Sequence, residues 1–123
     1  MSAHPVTWFE VHSADPDRAK SFYRDLFGWS YDDSMPGYSM IDLGDDAPVG
    51  GGITGTRDGQ PPMAVFLVQV PDVAAVCDRV EAAGGRVAVP DQSTPDGLRF
   101  AYLVDPDGST FGIWTPPGSG GQV

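Results

Sequence analysis

The sequence predicts an α+β fold in which two βαβββ units build a cup-shaped open barrel. Three observations carry that expectation. One pattern of strand, acidic cap, amphipathic helix and glycine occurs twice, at an offset of 57 residues. Gly and Pro, at 16 and 12 of 123 residues, break long helices and favour short strands with many turns. The length suits one domain with a real core. In the repeat Asp15 falls on Asp72 and Gly28 on Gly85, while Pro16, Ala19, Tyr23 and Leu26 fall on Val73, Val76, Val80 and Ala83. Spacings of 3, 4 and 3 put each set on one helix face. One helix per four strands buries the helix on one sheet face and leaves the other face curved around a cavity.

Pro5 to His12 reads as the first strand. Asp15 then caps a helix with Pro16 at its first position, and the helix runs to Phe27, where Gly28 stops it. Strands follow at Trp29 to Tyr31, Tyr38 to Leu43 and Val49 to Thr54. The polar, Pro-rich stretch Thr56 to Pro62 links the units. The second unit repeats the order with a strand at Ala64 to Val70, a helix from Asp72 to Ala83 stopped by Gly84-Gly85, and strands at Arg86 to Val89, Arg99 to Val104 and Thr110 to Trp114. The expected organisation is a single domain over 1–115, made of repeats at about 5–55 and 63–115, with a flexible tail over 116–123.

Hydrophobic residues at 41% and charged residues at 20% match an ordinary globular chain. The longest apolar run, Met63 to Val68, is far too short to span a bilayer, and no secretory signal is visible. A lone cysteine, Cys77, cannot form an internal disulfide, and no Asn is present to carry a glycan, so a cytoplasmic location is expected. Cys77 adjoins the apolar face of the second helix and reads as a small buried hydrophobe rather than a nucleophile. A net charge of −10 argues against nucleic acid and anionic membrane as partners and favours a cationic ligand. Gly50 to Gly55 has the spacing of a dinucleotide fingerprint, but a Pro-rich linker follows it where a helix would have to begin. It reads as a glycine-rich strand, with room for a ligand or another backbone. Asp105-Pro106-Asp107-Gly108 reads as a turn rather than a calcium loop.

The motifs Asp15 to Tyr23 with Leu26 to Trp29, Val70 to Val73 with Glu81 to Gly85, and Asp105 to Trp114 together span about residues 5–115. In this order they resemble the vicinal oxygen chelate superfamily, which includes glyoxalase I, extradiol dioxygenases and bleomycin-resistance proteins. The resemblance implies the glyoxalase/bleomycin-resistance fold, with a cup-shaped site commonly completed in a homodimer. Metal-dependent members place four His, Gln or Glu ligands on two strands of each unit. The matching positions here hold Trp8, Val65, Gly112 and either Gly55 or Gly52, none of which offers a lone pair to a divalent ion. No metal and no cofactor is therefore expected.

Alternation along a strand puts Glu10 and His12 on the face of Trp8, and Leu67 and Gln69 on the face of Val65. Tyr38, Met40, Phe100, Tyr102 and Trp114 add aromatic or thioether surface to the same expected lining, with Gly52 and Thr54 on the glycine-rich strand. Aromatic surface with a few polar points is what a small-molecule site needs. The plainer readings are Trp8 and Trp114 as filling of a collapsed cup, Glu10 as a solvated or paired strand residue, and His12 as exposed at its strand end. The expected function is metal-free binding of a small aromatic or cationic antibiotic or metabolite by a homodimer. The alternative is a glyoxalase-like lyase or isomerase with Glu10 or His12 as general base. A third reading is a regulatory module whose cup is filled by its own side chains.

Overall fold

The computed structural model describes residues 3–118. Its elements run β1 (Val6–Ser13), α1 (Pro16–Phe27), β2 (Ser30–Met35), β3 (Tyr38–Asp42), β4 (Gly50–Gly55), β5 (Met63–Gln69), α2 (Val73–Val80), β6 (Arg86–Ser93), β7 (Arg99–Val104) and β8 (Thr110–Thr115). Two compact units divide the chain: 7–65, and 66–118 together with 3–6. From residue 119 on, the expected flexible tail lies outside the described residues.

In the 7–65 unit the strands lie in the order β2-β3-β4-β1, with β1 parallel to β4 and the other pairs antiparallel. The other unit repeats this as β6-β7-β8-β5, with β5 parallel to β8. Both helices start as their sequence dictates. Asp15 Oδ1 accepts the Arg18 N–H at 3.2 Å and Asp72 Oδ1 accepts that of Ala75 at 3.2 Å, each satisfying an orphan first-turn donor. Replacing Asp72 by Ala is expected to cost about 1 kcal/mol, read as a lower urea midpoint with unchanged slope. Gly28 closes α1 at φ +75, its N–H donating to the Arg24 carbonyl.

The apolar stripe of α2 works as the spacing predicts. Val73, Val76, Cys77 and Val80 pack on a core of Val70, which directly follows β5, and Ala101, Leu103 and Ile113 from β7 and β8. Burial raises the Cys77 thiol pKa, in keeping with a hydrophobe's role. The stripe of α1 is different: the helix has no fully buried residue, and Leu26 is 58% exposed. Of the stripe, Tyr23 stacks on Trp29 at 5.0 Å, and Trp29 reaches Phe9 at 5.9 Å, so α1 is anchored through an aromatic cluster around Tyr23 rather than through Leu26.

Three boundaries depart from the sequence reading. The strand expected at Trp29 to Tyr31 extends as β2 to Met35. It is an exposed, polar edge strand, held by Tyr31 Oη donating to the Lys20 carbonyl (2.9 Å) and by Lys20 Nζ on Asp33 (3.1 Å). β6 continues to Ser93 through Pro90, because two register shifts let an edge strand accept a proline. α2 ends at Val80, three residues early, while the expected Gly84-Gly85 stop holds, with Gly84 at φ +99. No helix among the described residues is long and apolar enough to cross a membrane.

Candidate functional site

On β1 the side chains of Trp8, Glu10 and His12 share one face by strand alternation. Opposite them in register stand Gly50, Gly52 and Thr54 of β4, and β3 sets Met40 against Gly52 and Tyr38 against Thr54. This brings four sequence-predicted residues into one hydrogen-bonded chain. Trp8 Nε1 donates to Tyr38 Oη at 2.8 Å, Tyr38 Oη donates to Glu10 Oε2 at 2.9 Å, and His12 Nε2 lies 2.9 Å from Glu10 Oε1. Glu10 is 6% exposed and His12 1%, so the plain expectation of an exposed His12 is corrected: its ring is buried against the carboxylate. Burial and the negative charge of Glu10 push the Tyr38 phenol well above its ordinary pKa, so it stays a protonated donor.

The glycine run makes this packing possible. A Cβ on Gly50 would lie 2.2 Å from the Trp8 ring, on Gly51 2.3 Å from the Phe9 ring, and on Gly52 2.2 Å from the Tyr38 ring. The room that the sequence reading left for a ligand is taken by the chain's own rings, on both faces of β4. Three glycines in a strand facing aromatics on its neighbours were the available signal for that seating. Thr54 donates its hydroxyl to the Gly37 carbonyl at 2.8 Å, tying β4 to the β2–β3 turn. A groove of about 490 Å³ opens beside α1, lined by Val11, Phe22, Tyr23 and Met63 among others; of the predicted site residues it takes in His12 alone.

In the 66–118 unit the predicted residues form a mostly apolar group. Phe100 and Tyr102 meet edge to face at 5.9 Å, Trp114 stands opposite both Phe100 and Gln69, and Gly112 stands opposite Leu67 and Tyr102. A Cβ on Gly112 would come 2.6 Å from Leu67 Cγ. Val65, in the 7–65 unit, and Leu67 are 4% and 3% exposed.

These positions do not make a ligand set for a divalent ion. The Trp8 nitrogen is a donor only and gives its proton to Tyr38, Val65 is apolar, and Gly55, Gly52 and Gly112 carry no side chain, the last two lying under Tyr38 and Leu67. Among the described residues no three His, Cys, Asp or Glu side chains gather in an arrangement that could hold a metal.

Comparison with known proteins adds the lineage. Residues 6–113 match the family described as the Glyoxalase/Bleomycin resistance protein/Dioxygenase superfamily. "Putative glyoxylase CFP32" of Mycobacterium tuberculosis is 37% identical over 114 residues, which cover 87% of this chain and 44% of that protein. "Anthracycline biosynthesis protein DnrV" of Streptomyces peucetius is 29% identical over 126 residues, covering 87% of this chain and 45% of that protein. The chain thus spans under half the length of these relatives. Among solved structures, methylmalonyl-CoA epimerase from Mycobacterium tuberculosis superposes with a TM-score of 0.65 at 16% identity, over 94% of this chain and 92% of that one. At that identity the likeness is one of fold.

Proposed function

The chain belongs to the glyoxalase/bleomycin resistance protein/dioxygenase superfamily, and from that premise we propose that it binds a small aromatic or cationic molecule without the help of a metal ion. The observation that carries this reading is the Glu10 carboxylate, buried on a sheet face beside Trp8 and Tyr38 and held on both oxygens by oriented partners. A fixed acceptor set in aromatic surface orients a ligand while the rings supply burial area. A net charge of −10 favours a cationic group on that ligand. The relative named for anthracycline biosynthesis supports an aromatic ligand, anthracyclines being fused-ring compounds. The proposed assembly is a homodimer.

The test is a thermal-shift and calorimetric screen of planar aromatic amines and their neutral analogues. A ligand present at 100 times its Kd is expected to stabilise the protein by about 2.7 kcal/mol. Glu10→Gln is expected to weaken a cationic aromatic about tenfold, the value of one charge-assisted hydrogen bond. Absence of any stabilisation across the panel overturns the reading. Native mass spectrometry of the same sample checks the subunit count and is expected to show no stoichiometric divalent ion.

One feature favours a second reading, a lyase or isomerase. Glu10 touches both Tyr38 and His12, the arrangement of a general base with a neighbouring proton carrier. In that case Glu10 takes a proton from a carbon beside a carbonyl and returns it to the substrate. Glu10→Gln then abolishes turnover while a neutral substrate still binds. The relative named a putative glyoxylase agrees with this reading in its name.

A further inference from the structure

Tyr38 fills a place that a ligand's own hydroxyl would fit. Its phenol lies over Gly52, where a Cβ would come 2.3 Å from both Cζ and the hydroxyl oxygen. That oxygen accepts the Trp8 indole proton at 2.8 Å and donates to Glu10 Oε2 at 2.9 Å. The phenol lies against a strand position without a side chain, between one donor and one charged acceptor, matching the hydroxyl's capacity to accept and donate. Tyr38 opens β3 directly after the Pro36-Gly37 turn, where Gly37 takes φ +75. Its backbone pairs with Met35 and Thr54, contacts that do not involve the side-chain torsions about which the ring would turn.

We infer that Trp8, Glu10 and Gly52 form a recognition site for a planar aromatic ligand bearing a hydroxyl group, and that the chain's own Tyr38 occupies it in competition. A phenolic ligand re-forms the two hydrogen bonds that Tyr38 gives up, so the exchange leaves neither Trp8 Nε1 nor Glu10 Oε2 without the contact. The surroundings that keep Tyr38 protonated also select the neutral hydroxyl over a phenolate. The inference rests on the aromatic-ligand reading above and narrows its ligand class to naphthol-like and hydroxyquinone-like compounds.

Calorimetric titration of 2-naphthol and of naphthalene tests it, using the wild-type chain, Tyr38→Ala and Glu10→Gln. The wild type is expected to prefer 2-naphthol about tenfold, one charge-assisted hydrogen bond. Tyr38→Ala, freed of the internal competitor, is expected to bind 2-naphthol about tenfold more tightly still, at the same free-energy scale. Glu10→Gln loses most of the preference. If Tyr38→Ala does not fold, the ¹H–¹⁵N signal of the Trp8 indole in the wild type decides, moving at about tenfold lower concentration of 2-naphthol than of naphthalene. Equal affinity for the two compounds, weaker 2-naphthol binding in Tyr38→Ala, or an unmoved Trp8 signal overturns the site and leaves aromatic binding standing. Failure of both compounds to bind every variant overturns the aromatic-ligand reading as well.

Discussion

Glu10→Ala is expected to lower the unfolding free energy by about 3 kcal/mol, because it takes one charged acceptor from two partners at once. Tyr38 Oη and His12 Nε2 each lie 2.9 Å from a different oxygen of that carboxylate, and His12 is 1% exposed. Water does not reach such a ring freely, so the lost contact is not replaced at low cost. The same change removes the charged group proposed to meet the ligand, so binding falls with stability. Urea unfolding followed by tryptophan fluorescence measures the first effect. Tyr38→Phe in the Glu10→Ala background then costs much less than Tyr38→Phe alone, the non-additivity of groups that share a contact. A loss under about 1 kcal/mol, the range of a solvated surface pair, would show that the carboxylate is not held as a buried network.

Gly85→Ala is expected to cost about 3 kcal/mol for a different reason, overpacking against backbone. A Cβ at Gly85 would lie 2.4 Å from the Val104 carbonyl oxygen and 3.1 Å from Val80 Cγ2. Val104 is 5% exposed, and β7 is paired on one side with Arg86 of β6 and on the other with Thr110 of β8, so the carbonyl has nowhere to move. The end of α2 must shift instead, straining the core that Val73, Val76 and Val80 make with Leu103 and Ile113. Gly55→Ala is the matched control. Nothing lies within 4 Å of that position and its φ is ordinary, so its effect should stay within about 0.5 kcal/mol. Equal effects in the two variants would overturn the contact with Val104 as the source of the cost.

The helix starts and the core strands were legible because their signals are local. Asp15-Pro16 and Asp72 cap helices through atoms three residues away, and the stripe of Val73, Val76 and Val80 specifies which face packs. β2 is legible only over Trp29 to Tyr31, because Asp32, Asp33 and Ser34 carry no apolar alternation. They are held as an edge strand by pairing with β3 and by Lys20 and Tyr31, contacts that a linear reading does not reveal. The exposed Leu26 has a similar origin, since the helix offers it on the stripe while Trp29 and Phe9 make the aromatic contacts around Tyr23.

The same division runs through the candidate site. By itself the sequence determined the family, the paired βαβββ order, and the placing of Trp8, Glu10 and His12 on one strand face, because a strand's period of two depends only on covalent geometry. The joining of Trp8 to Tyr38, 30 residues away, and of Tyr38 to Glu10, 28 away, was decided only by the tertiary structure. It depends on the register of β1 against β4 and of β4 against β3, which sets Gly52 opposite both Glu10 and Met40 and clears the space for the Tyr38 ring. Register is a property of paired strands, and a one-residue slip would have turned Glu10 to the other face of the sheet.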